Sequence, residues 1–263
     1  MCSFVLQRDL AKPPSSRLRG RRSLGRRHLG AHGTKGTHVD ALISDCDGVI
    51  VDSEPIHLAG FQQILAEWGV TLTRQAYYDR YLGFDDHDCF AAVGADNGRT
   101  FTEDEIAEMT AAKTRLVQEK MHANLQPMPG FSALVAALAQ AGVPMAICSG
   151  GLRDEVELAA VTAGVGDVIK TLVCAEDVQR GKPDPEGYSL ALSRLTELVG
   201  RELRARRTVV LEDSPAGIAA AKALGMAVLA VASSYPREAL HQADRVVDSL
   251  ANVTADDLEN LLP

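Results

Sequence analysis

The sequence contains few aromatic residues, no long apolar run and no cysteine pair with the spacing of a metal site. Phe, Trp and Tyr make up 5% of the chain, with a single Trp. No apolar stretch approaches the roughly 18 residues that span a bilayer, which argues against a transmembrane helix. The five cysteines form no C-x-x-C pair and no histidine lies at zinc-finger spacing, so we expect a reducing compartment.

What the chain does contain is the composition of an ordinary folded protein. Apolar residues make up 46% and charged residues 24% of its 263 residues. A wholly disordered chain is excluded, because disorder requires low hydrophobicity together with high net charge. The length fits one large α/β domain, or a core with a smaller module.

Positive charge is concentrated at the start of the chain. Residues 1–40 carry nine Lys or Arg and two acids, whereas the remaining residues have a net formal charge of −15. Phosphate backbones and anionic surfaces are bound by clustered basic residues. We therefore expect the folded body to bind neither nucleic acid nor a membrane.

Three interpretations are open for residues 1–40, which show no hydrophobic periodicity. The Arg- and Ser-rich, acid-poor sequence is typical of an organellar transit peptide. It is also typical of a basic disordered tail, or of upstream sequence translated from a misassigned start. We see no apolar segment of a secretory signal. We expect a cytoplasmic protein, with organellar import through this segment as the alternative.

From residue 41 onward, predicted strands alternate with predicted helices. Strands are expected at 41–45, 144–149, 169–174, 207–212 and 226–231, with a short last strand at 244–247. This alternation is typical of an α/β protein with a doubly wound parallel sheet. The stretch between the first two strands is mostly helical and too long for an ordinary crossover. It predicts a helical cap of 58–126 inserted into a core of 41–57 and 127–263.

Polar residues follow the predicted strands at the points where four of them end. They are Asp45, Asp47 and Gly48 after the first, Ser149 and Gly150 after the second, Lys182 after the third, and Glu212 and Asp213 after the fourth. Ligands bind outside the carboxyl ends of the strands in a parallel sheet. We therefore expect these side chains on one rim.

The residue types on this rim favour a phosphoryl group bound together with Mg²⁺. Clustered carboxylates repel one another and need a cation. Carboxylate oxygens suit Mg²⁺, which completes its shell with water and phosphate. Lys182 adds a point charge suited to a phosphate, and Gly48 and Gly150 allow backbone N–H groups to approach an anion. One carboxylate can serve as nucleophile and a second as general acid and base.

Each motif alone has a plainer interpretation. Asp45-Cys46-Asp47-Gly48 is also a common turn, although the last glutamate of a Ca²⁺ loop would fall on Ile56. Asp213-Ser214-Pro215 is typical of a helix start, closed by Gly225. Lys182 alone would be a solvated lysine. The order and spacing of all four motifs together favour the functional interpretation.

Four segments resemble motifs of the haloacid dehalogenase-like superfamily: DCDGVIVDSEP, CSGG, GKPDPEGY and LEDSPAGI. They span about residues 41–232 in the family's order. They are most similar to the branch with β-phosphoglucomutase and small sugar-phosphate phosphatases. The resemblance implies a Rossmann-like core with a helical cap inserted after the first strand. It also implies phosphoryl transfer through an aspartyl-phosphate.

The same resemblance implies the catalytic roles. Asp45 would be the nucleophile, and Asp47 the general acid and base. Ser149 would hydrogen-bond the transferring phosphoryl group. Lys182 would neutralise that group and orient Asp45.

The resemblance also implies a Mg²⁺ site. Its ligands would be Asp45, the backbone carbonyl of Asp47 and Asp213, with Glu212 beside them as a direct or water-mediated ligand. Dehalogenation is not expected, because dehalogenases of the superfamily work without Mg²⁺ and do not need the second Asp.

The cap loop, residues 81–87, departs from the mutase pattern. β-Phosphoglucomutases hold a distal phosphate with a Lys and an Arg on this loop, and Leu82 and Asp86 stand at those positions here. A second phosphate would meet an acid at this place, which is unfavourable. The departure favours a phosphatase over a mutase.

Four further residues are candidates for substrate binding: Gly150, Arg153, His57 and Glu54. His57 falls where the mutase has a histidine just before the cap, and a histidine facing solvent or the hinge is an equal alternative. Arg153 suits a phosphate or carboxylate, with an ion pair to Glu157 on its own helix as the alternative.

We predict a Mg²⁺-dependent phosphatase that acts on a small phosphorylated metabolite, with a sugar phosphate as the first choice, and that is a monomer. The first alternative is a β-phosphoglucomutase-like phosphomutase. The second is a non-catalytic binding protein on the same fold, because fold alone does not fix function.

Overall fold

A computed structural model of the chain describes residues 39–263. The three interpretations of residues 1–40 thus fall almost wholly outside the described residues. Val39 is buried in the core, and the Asp40 carboxylate pairs with Arg204 at 2.9 Å. Among the helices of residues 39–263, none is both long and apolar enough to cross a membrane.

Six parallel strands form one sheet in the order β3-β2-β1-β4-β5-β6. The strands are β1 (Ala41–Ser44), β2 (Met145–Cys148), β3 (Ile169–Val173), β4 (Thr208–Glu212), β5 (Ala227–Val231) and β6 (Arg245–Val247). This is the order of the doubly wound dinucleotide-binding fold. The predicted α/β class and all six predicted strands are confirmed.

The helices flank this sheet or lie between its first two strands. They are α1 (Glu54–Glu67), α2 (Arg74–Ala76), α3 (Asp86–Asp96), α4 (Glu103–Asn124), α5 (Phe131–Gln140), α6 (Arg153–Thr162), α7 (Glu186–Val199), α8 (Pro215–Ala223) and α9 (Ala255–Glu259). A π-helical turn, Tyr77–Tyr81, continues α2. Short 3₁₀ turns occur at 175–177, 205–207, 237–240 and 250–252.

Alternating side chains of each strand enter two different apolar layers. Leu42 of β1 packs with α5 and α6 on one face of the sheet, whereas Ala41 and Ile43 pack with α7 and α8 on the other. Successive side chains of a strand point to opposite faces, so a strand covered on both sides must be apolar throughout. All four residues of β1 are indeed buried.

A separate apolar cluster lies within the helices inserted between β1 and β2. It is built from buried residues between Leu58 and Met109, with an edge-on contact between the Phe61 and Phe90 rings, whose centroids are 5.1 Å apart. The expected helical insertion is thus confirmed as part of the fold. Helix α4 belongs to both layers, since Met109 lies in the inserted cluster and Val117 in the core. The domain boundaries at 57/58 and 126/127 remain predictions.

The sheet order places β1 beside β4 where the chain reverses its direction of winding. Ligand sites of open α/β sheets lie at this switch point, outside the carboxyl ends of the strands. Asp45 follows β1, and Glu212 with Asp213 ends β4. The fold therefore brings these carboxylates to one crevice.

Candidate active site

The turn after β1 carries two of the candidate carboxylates. Asp45 is 7% exposed, and its backbone N–H donates to the Leu211 carbonyl of β4 at 2.9 Å. Asp47 is less buried and accepts a short hydrogen bond from the Ser53 hydroxyl. Gly48 has a φ of 70°, and a Cβ there would collide with the Asp213 carboxylate. A glycine is therefore required for the turn to pack against β4.

Glu212 is fully buried at the end of β4, and both of its carboxylate oxygens are occupied. One oxygen accepts from Lys182 at 2.7 Å and from the Tyr188 hydroxyl at 2.8 Å. The other accepts from the backbone N–H groups of Asp213 and Ser214 at 2.8 Å, and from the Ser214 hydroxyl at 2.9 Å. A carboxylate offers about four lone-pair positions. Glu212 thus binds and holds the Lys182 ammonium. Its role as a direct metal ligand stays a prediction.

Lys182 bridges the two strand ends. Its ammonium donates to Asp45 at 2.5 Å as well as to Glu212, and it lies 5.1 Å from the centre of the Tyr188 ring. Burial opposes the charged form, but Asp45 and Glu212 outweigh it and hold the pKa of Lys182 well above its usual value. Burial likewise opposes ionisation of Glu212, yet Lys182 keeps the pKa of Glu212 below its usual value. Lys182 is therefore an internal counter-ion and not the solvated lysine of the plainer interpretation.

A loop after β5 holds Asp213. The Ser234 hydroxyl donates a short hydrogen bond to its carboxylate, and the Ser233 hydroxyl donates to the Gly48 carbonyl at 2.7 Å. Asp213 is 5% exposed. Burial, followed by the charges of Asp45 and Glu212, raises its pKa well above the usual range.

The donor set fits a hard divalent cation. Carboxylate oxygens of Asp45, Glu212 and Asp213 all lie within 4.8 Å of one another. Burial, and then the neighbouring Glu212 and Asp47 against the opposing Lys182, raises the pKa of Asp45 to about 7. Three buried acids facing one lysine leave negative charge uncompensated, and a cation bound by oxygen ligands relieves it. The residues present therefore fit the Mg²⁺ that their types predict.

Ser149 directly follows β2 at the same crevice and is 5% exposed. Its hydroxyl accepts a hydrogen bond from the Gly151 N–H at 3.0 Å, which leaves the hydroxyl proton for another acceptor. Gly150 faces open space, whereas a Cβ on Gly151 would lie 3.3 Å from the Ser149 hydroxyl and 3.8 Å from Asp47. The backbone therefore lies close to the site side chains at Gly151 and not at Gly150. A cavity of about 200 Å³ opens beside Ser149 and Lys182.

The inserted helices contribute a second group of charges. Lys113 of α4 donates to Asp86 at 2.6 Å and lies 2.9 Å from Nδ1 of His57. Burial and then Lys113 lower the pKa of His57 to about 4, so the ring is neutral near neutral pH. Glu54 accepts from the Tyr77 hydroxyl at 2.8 Å, and burial raises its pKa to about 6. His57 thus faces Lys113, and its role in substrate binding stays a prediction.

Arg153 at the start of α6 is committed to an ion pair. Its guanidinium lies 2.5 Å from the carboxylate of Asp177, which also binds Arg194 at 2.8 Å. The alternative interpretation of Arg153 as a paired residue holds, but its partner is Asp177 and not Glu157. Its role in substrate binding stays a prediction.

One contact joins the inserted helices to the core loop beside Asp213. The Tyr235 hydroxyl donates to the Leu82 carbonyl at 3.2 Å, and a Cβ on Gly83 would collide with that hydroxyl. The cap loop therefore sits against the same loop that holds the candidate metal ligand.

Sequence reasoning missed Lys113, Tyr188 and the 233–235 loop. Lys113 carried a signal, because it interrupts the apolar stripe of α4 between Met109 and Val117. The loop could have been found by extending the strand-end rule to β5. Tyr188 is the last residue of the GKPDPEGY motif, but its hydrogen bond to Glu212 depends on the packing of α7.

This fold and this carboxylate-lysine crevice define a hydrolase of the haloacid dehalogenase-like type. The sequence profile described as Haloacid dehalogenase-like hydrolase matches residues 42–231, so the chain belongs to that family. The family recognised from the four motifs is confirmed.

Named relatives are consistent with this membership. The chain is 32% identical over 216 residues to the validoxylamine A 7'-phosphate phosphatase of Streptomyces hygroscopicus subsp. limoneus, covering 80% of this chain and 93% of that protein. It is 33% identical over 150 residues to hexitol phosphatase A of Escherichia coli, covering 56% of this chain and 66% of that protein. These phosphatases and the family confirm the prediction of a phosphoric monoester hydrolase.

Solved structures show the same fold. The crystal structure of CbbY from Rhodobacter sphaeroides with phosphate has a TM-score of 0.71 at 25% identity, covering 82% of this chain and 96% of that one. A β-phosphoglucomutase from Clostridium difficile also has a TM-score of 0.71, at 19% identity, covering 85% and 96%. The latter likeness concerns the fold alone.

Proposed function

We propose that the protein is a Mg²⁺-dependent phosphatase that hydrolyses a small phosphorylated metabolite, with a sugar phosphate as first choice, through an aspartyl-phosphate. The observation that carries this proposal is Asp45 itself. Its carboxylate lies at the end of β1, 2.5 Å from the Lys182 ammonium and next to Asp213. A buried carboxylate held by a fixed cation is oriented for nucleophilic attack.

Mg²⁺ would be held by Asp45, Asp213 and the backbone carbonyl of Asp47, with Glu212 beside them. When bound, it supplies positive charge that neutralises the phosphoryl oxygens. Everything else is done by side chains of this chain. Lys182 compensates charge on the opposite side of Asp45, and Ser149 donates its hydroxyl proton to a phosphoryl oxygen.

In the first step, an Asp45 oxygen attacks phosphorus, and the bond from phosphorus to the leaving oxygen breaks. Asp47 gives its proton to that leaving oxygen. In the second step, water attacks phosphorus, the bond to Asp45 breaks, and Asp47 takes the proton from the water. The short bond from Ser53 fixes the Asp47 carboxylate for both transfers.

Two named relatives support a small polyhydroxylated substrate, since one acts on a validoxylamine phosphate and one on hexitol phosphates. Conversion of β-glucose 1-phosphate to glucose 6-phosphate with little free phosphate would instead support the mutase. Four buried free cysteines, Cys46, Cys89, Cys148 and Cys174, support a reducing compartment such as the cytoplasm. We keep organellar import as the alternative and propose a monomer that binds neither nucleic acid nor membrane.

The direct test is Asp45→Asn, assayed with p-nitrophenyl phosphate with and without Mg²⁺. We expect turnover to fall by at least about 10⁴-fold while circular dichroism shows an intact fold. Asp167→Asn, the same change at an exposed position, is the control and keeps full turnover. Mg²⁺-dependent turnover by Asp45→Asn at the wild-type rate would contradict the proposal.

A further inference from the structure

Lys113 is a buried cation in the inserted helices that the catalytic steps do not use. It is 4% exposed and lies in the apolar stripe of α4, between Met109 and Val117. Burying a lysine is costly unless its ammonium is paired and hydrogen-bonded. Its partners therefore decide what this side of the crevice can bind.

The partners of Lys113 found in the described structure belong to the inserted helices α1 and α3. The ammonium lies 2.6 Å from an Asp86 oxygen, 2.9 Å from Nδ1 of His57 and 4.5 Å from the centre of the Phe61 ring. Asp86 neutralises the charge of the ammonium, and the neutral His57 ring accepts a hydrogen bond from it. Because the Lys113 ammonium is already paired with Asp86, it attracts an anionic ligand only weakly.

These groups lie near Asp47, whose charge acts on both Glu54 and His57. Ser53, which bonds to Asp47, directly precedes α1, and Glu54 and His57 stand three residues apart on one face of that helix. A Cβ on Gly151 would lie 3.5 Å from a Glu155 oxygen and 3.8 Å from an Asp47 oxygen, so Glu155 also lies near Asp47. The space around Asp47 is therefore bordered by carboxylates.

Nearby charges act on one another across this space. Asp47 and Asp86 both influence the pKa of His57 and that of Glu155. The Tyr235 contact to Leu82 keeps the loop before α3 against the core. In the proposed mechanism Asp47 protonates the leaving oxygen, so the leaving group of a phosphate ester held at Asp45 would lie beside these carboxylates and near Lys113, which is already paired with Asp86.

We propose that this acidic border, with Asp86 as the residue that neutralises Lys113, selects phosphate monoesters whose leaving group is uncharged or carries an amine. Leaving groups with a carboxylate or a second phosphate are disfavoured. The inference rests on the proposed function and names the substrate class of that same site. Carboxylates accept hydrogen bonds from hydroxyl groups and pair with ammonium groups, whereas they repel anions.

The test uses one carbon skeleton with four leaving-group charges. The substrates are glucosamine 6-phosphate, glucose 6-phosphate, 6-phosphogluconate and glucose 1,6-bisphosphate, with p-nitrophenyl phosphate as the reference for basal chemistry. We expect kcat/KM to be highest for the first two compounds and about tenfold lower for each added negative charge.

Asp86→Asn removes the neutralising charge and frees Lys113. It raises the ratio of kcat/KM for 6-phosphogluconate to that for glucose 6-phosphate by about tenfold. Lys113→Met removes the cation and moves the same ratio in the opposite direction. Asp85→Asn is the matched control, because it removes one charge from the neighbouring exposed residue and keeps an N-cap for α3. It leaves the ratio within about twofold.

The outcomes separate the two proposals. Hydrolysis of p-nitrophenyl phosphate with equal or better hydrolysis of the anionic sugars would overturn this inference alone. So would an equal shift of the ratio in Asp85→Asn and Asp86→Asn. Phosphate release from none of the five compounds would overturn the proposed function and this inference with it.

Discussion

Lys182 at the strand ends and Lys113 in the inserted helices are both buried lysines whose charge is balanced by carboxylates, but in different surroundings. Lys182 lies between Asp45 and Glu212, whose side chains are 10% and 0% exposed. Lys113 lies between the neutral His57 and Asp86, whose side chain is 26% exposed. Both ammonium groups also lie against an aromatic ring.

The difference lies in what remains after each lysine is paired. At the strand ends, the third acid, Asp213, is buried and close enough to share a cation with Asp45. Around Lys113, the acids Glu54, Asp86 and Glu155 come from three different helices and are only partly buried. Compact buried carboxylates suit a metal ion, whereas dispersed ones suit hydroxyl or ammonium groups of a ligand. Under the proposed function, the two halves of the crevice would therefore bind different parts of one substrate.

The strongest way to break this comparison is to remove each lysine in turn. Lys182→Met leaves Asp45 and Glu212 buried without a counter-ion, which costs about 3–5 kcal/mol of unfolding free energy. We expect turnover of p-nitrophenyl phosphate to be lost as well. Lys113→Met leaves only one partly exposed acid, so its cost is about 1 kcal/mol. Urea unfolding measures both costs, and equal costs would contradict the distinction.

Glu54 sharpens the comparison, because it is an acid whose hydrogen bond comes from the Tyr77 hydroxyl and not from a lysine. Its pKa is raised by burial from 4.5 to about 6, the reverse of the direction found for Glu212. A raised folded-state pKa means that its contribution to stability is present below about pH 4.5 and is lost as pH rises through about 6.

Glu54→Gln should therefore stabilise the protein by up to about 2 kcal/mol at about pH 8, and hardly at all at about pH 4. The amide oxygen still accepts from Tyr77. Thermal or urea unfolding at the two pH values measures the difference, with Glu67→Gln, at an exposed position of the same helix, as the control. A gain in unfolding free energy that does not depend on pH would contradict the claim that burial disfavours the charged form of Glu54.

The contact between Tyr235 and Leu82, which joins the cap loop to the core, gives the smallest expected effect. Tyr235→Phe removes the hydroxyl that donates to Leu82, a bond worth about 1 kcal/mol. We expect KM for p-nitrophenyl phosphate to rise about fivefold and the free energy of unfolding to fall by at most about 1 kcal/mol. Tyr78→Phe is the control, since no hydrogen bond of the Tyr78 hydroxyl is found among residues 39–263. An unchanged KM would show that this contact does not position the cap loop.

The strand ends were predictable from sequence because each is signalled locally. A short apolar run followed by a polar turn marks a strand and its end, and the parallel sheet then brings Asp45, Ser149 and Asp213 together without further information. Lys182 follows from the same rule, although its two partners lie 137 and 30 residues away.

The cap side was less predictable because its contacts depend on helix packing. His57 and Lys113 are 56 residues apart, and Lys113 and Asp86 are 27 apart. Nothing local to Asp86 shows that it neutralises a lysine on another helix. Sequence spacing identified Asp86 only as an acid where the resemblance expects a base, and packing of α4 against α3 supplied its partner Lys113.

Phosphoryl transfer through Asp45 is tested most directly by trapping the phosphorylated protein. p-Nitrophenolate leaves without needing a proton, so Asp47→Asn should still form the aspartyl-phosphate, yet it lacks the base that activates water for the second step. Acid quenching during turnover, followed by peptide mass mapping, should then find the phosphoryl group on Asp45. A phosphoryl group on another residue, or none on a variant that still releases p-nitrophenol in an initial burst, would contradict the assignment of Asp45 as nucleophile.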